Sequence, residues 1–265
     1  MRRVSCVVCR AACVVHRVFV RSCDRAIVYV VDMIASSLHH HHHHHHHPMI
    51  VGTPGTGIRI SICHQTRHTM SDTRVYVDTE GTPTPEVVSE VDEMILCVPD
   101  FPREGIMFRD ITTLISHPSG LALTTKVLAA HYAAKGVTID AVVGCEARGF
   151  IWGATLAMHL GVGLVVLRKK GKLPRETYSA DYSLEYGEAS LEIHTDALQE
   201  GANVVIVDDL LATGGTMLAS VGLVRKAGGN VVGTAFISDL PDLGGRAKLQ
   251  DKGIPVFSIV SYPGE

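Results

Sequence analysis

The amino-acid sequence predicts an α/β fold with a largely parallel sheet, and two observations support this prediction. First, the second half of the chain contains apolar runs without polar alternation, such as residues 204–207, which are typical of strands covered on both faces. Second, the segments between these runs have apolar residues at helical spacing and are long enough for crossover helices. We therefore expect βαβ units around a parallel sheet.

The chain has 265 residues and a formal net charge of −3, but the charge is unevenly distributed. Residues 1–69 contain eight Arg and two acidic residues, which leaves 16 basic and 25 acidic residues in the remainder. The remainder is long enough for one sizeable core, and its acidic character argues against nucleic acid as the main partner.

Residues 1–69 are predicted to be a non-globular leader. Arg residues interrupt its apolar stretches, so none approaches the ~20 residues that a membrane-spanning helix needs. The nine histidines at 39–47 indicate a purification tag or a low-complexity tract, and the Arg-rich composition is also typical of an organelle transit peptide. A third interpretation, which we favour, is an upstream region translated in error, with Met70 as the working start. Residues 70–84 are predicted to be a flexible arm.

Five of the seven cysteines lie in this leader, and only Cys97 and Cys145 lie in the body. Two isolated cysteines are interpreted as reduced, partly buried thiols, as expected of a cytoplasmic protein.

The body is expected to run from residue 85 to residue 265 and to begin with a small N-terminal hood, residues 85–115. An amphipathic helix over 85–98, with Pro in its first turn, and a turn cluster over 99–105 open the hood. Further along the chain the patterns predict a helix ending near Ala134, strands 140–144 and 164–167, a mobile loop 176–181, a hairpin with strands 182–186 and 190–194, strand 231–238, a helix 243–251 and strand 255–260.

The stretch from residue 204 to residue 217 combines a strand, an acidic pair, a small-residue loop and the start of a helix. Asp208 and Asp209 follow the apolar run, a loop over 210–213 leads to Gly214 and Gly215, and helical spacing resumes at Met217. Glycines let backbone N–H groups approach a ligand, and a helix N-terminus attracts phosphate. Carboxylates at a strand end accept hydrogen bonds from sugar hydroxyls or help to hold Mg²⁺. The stretch therefore predicts a site for a phosphorylated ribose.

A second anion site is predicted where the strand over 140–144 ends. Arg148 and Gly149 open the next helix there, and a guanidinium has the forked donor geometry that suits phosphate oxygens. The alternative for Arg148 is an ion pair with Glu146. A basic segment, residues 168–175, holds five cations within eight residues, and either a polyphosphate or exposure to solvent would relieve their repulsion.

At these residues the sequence resembles the type I phosphoribosyltransferases. The apolar run, the acidic pair and residues 212–216 are similar to that family's signature for 5-phosphoribosyl 1-pyrophosphate. Residues 108–111, 146–150, 168–174 and 182–187 resemble the members of the family that use adenine, and the resemblance covers roughly residues 85–265. It implies a Rossmann-like parallel-sheet core with the small hood and a β-hairpin flap.

The resemblance also implies an activity: adenine and 5-phosphoribosyl 1-pyrophosphate would give AMP and pyrophosphate, a purine-salvage reaction that uses Mg²⁺. No metal ligand is assigned directly, although Asp208 is a candidate through the ribose and pyrophosphate. A homodimer is implied, because the basic segment would lie at a subunit interface and reach pyrophosphate in the neighbouring subunit.

The same resemblance assigns roles to individual residues. The catalytic residues would be Glu185, Asp208 and Asp209. Glu185 on the flap would act as the acid–base group for the purine, and the two aspartates would favour the positive charge that develops on the ribose ring. The ribosyl donor would be held by Arg148, Arg168, Lys169, Lys172, Asp208, Asp209, Ala212, Thr213, Gly214, Gly215 and Thr216. Adenine would be held by Met107, Phe108 and Arg109, with Phe108 stacking on the base; the alternative for Phe108 is a core residue under a loop.

Two other functions stay open from the sequence. One is a related transferase for hypoxanthine, xanthine or orotate. The other is a non-catalytic regulator that senses the ribosyl donor and binds nucleic acid, but the acidic body and the absence of a helix-turn-helix pattern argue against it.

Overall fold

The structure, a computed structural model, describes residues 15–23, 26–33, 74–183 and 188–264. The chain divides into two compact units, Met1–Met70 and Ser71–Glu265. In the first unit, β1 (Val15–Cys23) and β2 (Ala26–Met33) pair as an antiparallel hairpin. No strand was predicted there, although β1 and β2 are rich in Val and also contain Phe in β1 and Ile and Tyr in β2, residues that favour strands. The histidines at 39–47 lie outside the described residues.

The hood begins with α1 (Pro85–Glu93), followed by the antiparallel pair β3 (Leu96–Pro99) and β4 (Met107–Asp110) and by α2 (Thr112–Ser116). The helix predicted over 85–98 was therefore wrong in its second half. The Thr113 hydroxyl donates to the Met94 carbonyl at 2.6 Å and accepts the Leu96 N–H at 3.2 Å, so the backbone leaves the helix there and enters β3.

The core contains the remaining elements of the second unit. They are α3 (Gly120–Ala134), β5 (Ala141–Cys145), α4 (Gly149–Leu160), β6 (Gly163–Lys169), β7 (Thr177–Ser183), β8 (Glu188–His194), β9 (Asn203–Leu211), α5 (Gly215–Lys226), β10 (Asn230–Asp239), a short 3-10 helix (Pro241–Leu243), α6 (Gly245–Gln250) and β11 (Val256–Ser261).

These strands form one seven-stranded sheet in the order β11-β10-β9-β5-β6-β8-β7. The first five strands of that order are parallel, and β8 and β7 are antiparallel to their neighbours. The predicted α/β fold with a parallel sheet is confirmed.

The apolar run in β9 is explained by the two layers that cover the sheet. Val205 and Val207 belong to a buried cluster with α3, α4 and the hood, whereas Val204 and Ile206 belong to a second cluster with α5 and β8. Successive strand residues point to opposite faces, so a strand with both faces covered is apolar at every position.

The flap differs from its prediction at its first strand. Residues 177–181, predicted to be a mobile loop, are paired in β7, from Thr177 opposite His194 to Asp181 opposite Ser190. Strand β8 in turn pairs with β6. The flap therefore continues the main sheet, and its tip, residues 184–187, lies outside the described residues. Within the described ranges, no helix is both long and apolar enough to cross a membrane.

Candidate active site

A cleft of about 450 Å³ lies where β5 and β9 end, side by side in the sheet. Its lining comes from the loop after β5, from the end of β9 with the loop after it, and from one residue each of β7 and β10. The lining residues are Glu146, Ala147, Arg148, Tyr182, Asp208, Asp209, Leu210, Leu211, Ala212, Thr213, Gly214, Gly215, Thr216, Met217 and Phe236. The two predicted anion sites thus open into one cleft.

The β9–α5 loop, residues 212–216, presents a row of backbone donors. Gly214 has φ +81°, a conformation that glycine adopts without strain, and α5 begins at the next residue. None of the five N–H groups from Thr213 to Met217 donates a hydrogen bond to another described residue. Unpaired N–H groups at a helix N-terminus are suited to an anion.

The β5–α4 loop, residues 146–149, is a shorter version of the same arrangement. The N–H groups of Ala147, Arg148 and Gly149 donate no hydrogen bond within the described part of the chain. Gly149 permits a close approach between α4 and β9, because a Cβ atom there would lie 2.5 Å from the Val207 carbonyl oxygen and 3.0 Å from Asp208 Oδ1. The start of α4 is therefore pressed against the end of β9.

The acidic pair lies within the last residues of β9 rather than after the strand, because Asp208 and Leu210 still pair with β10. Asp209 is 4% exposed, and its Oδ2 lies 3.0 Å from Arg148 Nε. Asp208 Oδ1 accepts the Asp209 N–H at 3.0 Å. Arg148 is thus paired with Asp209, and the predicted alternative of an Arg148–Glu146 ion pair was wrong.

Both carboxyl groups of this pair are electrostatically unfavourable when ionised. Burial, reinforced by the neighbouring Asp209 charge, raises the pKa of Asp208 well above its ordinary value. Burial also raises the pKa of Asp209, although the Arg148 guanidinium opposes that shift. A ligand that brings hydroxyl donors or a cation would therefore stabilise the ionised pair.

The basic segment, residues 168–175, is held by acidic side chains of the chain itself. Glu146 Oε2 accepts from Arg168 Nε at 3.2 Å and from the Lys169 N–H at 2.9 Å, and the Lys169 N–H is the main reason that the pKa of Glu146 is lowered. Glu192 accepts the Gly171 N–H at 3.0 Å. Arg175 forms an ion pair with Asp196. Two of the five cations are therefore neutralised without a ligand.

Three predicted residues of the basic segment, Arg168, Lys169 and Lys172, do not line the cleft. Lys169 and Lys172 are exposed, and their side chains form no ion pair within the described ranges. The segment is connected to the cleft through Glu146, which lines it.

The predicted adenine residues lie on β4 in the hood, and none of them lines the cleft. Met107 is 40% exposed, and the Phe108 ring packs edge-on against Phe101 with centroids 5.0 Å apart. The Arg109 guanidinium lies 4.0 Å from the centre of the Tyr262 ring and donates to Cys97 Sγ. The adenine-binding role of these residues stays a prediction, as does that of Glu185, which lies outside the described residues.

Several residues without a predicted role lie at the cleft or its rim. Tyr182 and Phe236 line the cleft, and Lys248 Nζ donates to the Thr213 carbonyl at 3.0 Å. Tyr182 belongs to a segment on which the resemblance depended. Phe236 is opposite Asp208 across β9 and β10, a register that no local pattern reveals. Lys248 has no signal in the sequence at all.

A magnesium ion would find oxygen ligands here, but not a complete set. The described ranges contain no group of three or more His, Cys, Asp or Glu side chains placed to hold a metal. Mg²⁺ is commonly bound by one or two carboxylates, with substrate phosphates and waters completing its shell. Asp208 and Asp209 fit that role once a polyphosphate is bound.

Comparison with known proteins places these features in a family. Residues 110–259 match the family model described as the phosphoribosyl transferase domain. The adenine phosphoribosyltransferase of Yersinia pestis (strain Pestoides F) is 52% identical over 181 residues, which are 68% of this chain and 96% of the relative.

Solved structures agree with this relationship. The adenine phosphoribosyltransferase of Thermoanaerobacter pseudethanolicus has 48% identity and a TM-score of 0.62, and the match covers 66% of this chain and 99% of that one. The Saccharomyces cerevisiae enzyme, solved with an imino-altritol bisphosphate and adenine, has 39% identity and a TM-score of 0.63 with the same coverage.

Proposed function

Because the chain belongs to the phosphoribosyltransferase family, and within it to the adenine phosphoribosyltransferases, we propose that it makes AMP and pyrophosphate from adenine and 5-phosphoribosyl 1-pyrophosphate. One observation carries the proposal. Two loops with unpaired N–H groups, at 147–149 and 213–217, border one cleft, with Asp208 and Asp209 in the same lining. A sugar with a phosphate at one end and a pyrophosphate at the other has the two anionic groups that such a pair of sites would bind.

The ribosyl donor is oriented by this arrangement. The 5′-phosphate accepts hydrogen bonds from the N–H groups of the β9–α5 loop and from the hydroxyl groups of Thr213 and Thr216. The pyrophosphate accepts hydrogen bonds from the N–H groups of the β5–α4 loop and forms an ion pair with the half-exposed Arg148 guanidinium. Holding both ends fixes C1 of the ribose, which lowers the entropic part of the barrier.

The Arg148–Asp209 ion pair is proposed to loosen when the donor binds. The ribose hydroxyls supply Asp208 and Asp209 with hydrogen-bond donors beyond the Asp209 N–H and Arg148, which favours the ionised carboxylates. Arg148 then turns toward the pyrophosphate. Negative charge leaves with pyrophosphate as the C1–O bond breaks, and the fixed Arg148 charge stabilises it, while the acidic pair stabilises positive charge on the ribose.

Mg²⁺ bound to the pyrophosphate and the ribose, with Asp208 or Asp209 nearby, would add Lewis-acid stabilisation of the leaving group. Whether the chain needs this ion is tested by the rate of AMP formation with EDTA and after Mg²⁺ is restored.

Adenine is proposed to bind through Met107, Phe108 and Arg109 of the hood. Glu185 is proposed to act as the acid–base group for the purine, which loses a proton as the new C1–N bond forms. Tyr182, near the end of β7, lines the cleft, which supports placing the flap beside the reacting groups. A closed flap would exclude water and limit hydrolysis of the donor. Glu185→Gln should lower kcat more than it weakens donor binding; the reverse pattern would make Glu185 a donor contact.

The test of the activity is an ultraviolet assay with phosphoribosyl pyrophosphate and each base in turn. Adenine should give AMP with a kcat/KM at least about a hundredfold above hypoxanthine, xanthine and orotate, since base selection depends on hydrogen bonds to the purine edge. Turnover of hypoxanthine or orotate at the adenine rate would favour the related transferase instead.

We also propose a homodimer in which the basic segment lies at the interface. Lys169 and Lys172 are exposed and lie outside the lining of their own cleft, which leaves them accessible to a partner's pyrophosphate. Light scattering coupled to gel filtration tests this, and a monomer at assay concentration would contradict it. The unbridged thiols of Cys97 and Cys145 support a cytoplasmic location, which fractionation of cells would test.

The transferase domain is proposed to be residues 85–265, without a catalytic role for residues 1–69. The relatives match 181 residues of this chain, about the length of that domain. A chain that begins at Met70 should keep kcat and both KM values; an inactive but folded product would show that the leader matters.

A further inference from the structure

The β9–α5 loop depends on a helix that is not part of the cleft. Its three consecutive carbonyl groups each accept a hydrogen bond: Ala212 from the Gly245 N–H at 3.1 Å, Thr213 from Lys248 Nζ at 3.0 Å, and Gly214 from the Leu218 N–H at 2.9 Å. Gly245 and Lys248 both belong to α6, and neither residue lines the cleft.

These bonds determine where the loop's donors point. A trans peptide places its C=O and the following N–H on opposite sides of one plane. When the carbonyls of Ala212, Thr213 and Gly214 face their donors, the N–H groups of the next three residues, which line the cleft, face away from those donors.

Gly245 makes the contact between α6 and the loop unusually close. A Cβ atom at this position would lie 2.1 Å from the Ala212 carbonyl oxygen and 2.8 Å from the Gly214 nitrogen. Gly214 is equally restricted, since its own Cβ would lie 3.0 Å from Gly245 Cα. Two glycine backbones therefore pack directly against each other, and a larger residue at either position would displace the loop.

We propose that Gly245 and Lys248 of α6 are positioning residues for the ribosyl donor's 5′-phosphate, because they orient the N–H groups of the β9–α5 loop from behind. This inference rests on the proposed function, since it assigns the 5′-phosphate to that loop. Lys248 contributes a cationic donor that holds the Thr213 carbonyl on the side of the loop away from the cleft. Gly245 has no side chain, which leaves space for the Ala212 carbonyl group next to α6.

The test separates the two ends of the donor. Affinities for ribose 5-phosphate and for pyrophosphate are measured by calorimetry, and KM values by the AMP assay. Lys248→Met should weaken ribose 5-phosphate binding and raise KM for phosphoribosyl pyrophosphate by about three- to tenfold, as expected for a lost charged hydrogen bond. Pyrophosphate affinity, KM for adenine and kcat should change by less than about twofold. Lys248→Arg should restore most of the loss.

Each variant has a matched control. Lys252→Met removes an exposed lysine four residues further along, whose side chain forms no ion pair within the described ranges, and should behave as wild type. Gly245→Ala should abolish ribose 5-phosphate binding, whereas Gly222→Ala, exposed on α5 with no atom within 4 Å of the added Cβ, should not. Thermal unfolding shows whether Gly245→Ala folds; if it does not, the lysine series decides.

The outcomes separate this inference from the proposed function. If wild type neither binds ribose 5-phosphate nor makes AMP, the proposed function fails, and the inference fails with it. If wild type does both but Lys248→Met matches wild type, or loses ribose 5-phosphate and pyrophosphate affinity together, only the positioning role is overturned.

Discussion

The carboxylates at the ends of β9 and β5 are opposite in their electrostatics, although the two strands are neighbours in the sheet. Asp209 is buried and forms an ion pair with Arg148, Asp208 is half-buried next to it, and the pKa of each carboxyl group is raised. Glu146 is half-buried and accepts hydrogen bonds from Arg168 and the Lys169 N–H, and its pKa is lowered. Ionised Asp208 and Asp209 therefore destabilise the folded protein, whereas ionised Glu146 stabilises it.

This difference distinguishes carboxylates that are available to a ligand, Asp208 and Asp209, from a carboxylate that stabilises the fold, Glu146. A protein gains nothing in stability from two adjacent carboxylates with too few donors, so such a pair marks a position where a ligand completes the set. A carboxylate whose donors all come from its own chain has a structural task. Here that task is to hold the basic segment against the β5–α4 loop, which we propose binds pyrophosphate.

The largest expected effect comes from breaking the acidic pair. Asp209→Asn should lower kcat/KM for AMP formation roughly 100- to 1,000-fold, because the amide keeps the shape but removes the charge that stabilises the ribose. The free energy of unfolding should stay the same or rise. Asp196→Asn, which changes an exposed carboxylate, is the matched control for activity. Turnover within threefold of wild type would remove Asp209 from the reaction.

Glu146→Gln should have the opposite profile. Losing the negative charge weakens the bonds to Arg168 and to the Lys169 N–H, and should lower the free energy of unfolding by about 1–2 kcal/mol. KM for phosphoribosyl pyrophosphate should rise with it as the basic segment loosens, by less than the Asp209→Asn effect. Urea unfolding and the AMP assay measure both. An unchanged stability would mean that Glu146 is not the anchor of the segment.

The stability of the protein should depend on pH in opposite ways through Asp208 and Glu146. A raised pKa means that the folded state binds the Asp208 proton more tightly, so the stability from this group falls as pH rises from 3.8 through the raised value. The lowered pKa of Glu146 has the opposite sign: its contribution is complete above 4.5 and is lost as pH falls through the lowered value. Urea unfolding across this range should show Asp208→Asn losing the first slope and Glu146→Gln the second. Parallel profiles in both variants would contradict the contrast.

The smallest effect is expected at the far end of the basic segment. Arg175 and Asp196 are both more than half exposed, and ion pairs of that kind contribute little. Arg175→Ala should change the free energy of unfolding by less than about 0.5 kcal/mol and leave turnover unaltered. A loss as large as that of Glu146→Gln would mean that the segment has two anchors.

Much of the site followed from local pattern. The run before Asp208 is apolar at every position because both faces of β9 are covered, and Gly214 is needed where φ is positive. Such signals lie within a few residues of each other, so they can be recognised without knowing the fold. The wrong predictions came where distant partners decide: β3 forms because β4 pairs with it, and β7 because β8 does.

The apolar strand at residues 204–207, the acidic pair and the small-residue loop are written into neighbouring residues, since backbone preference and hydrophobic period act over short distances. Neighbouring residues do not determine which partner each charged side chain has. Three contacts depend on residues 22 to 61 positions apart that meet at one edge of the sheet. They are the ion pairs Arg148–Asp209 and Glu146–Arg168 and the hydrogen bond from Lys248 to the Thr213 carbonyl. Only packing brings such residues together, and packing therefore decided which charges serve a ligand and which serve the fold.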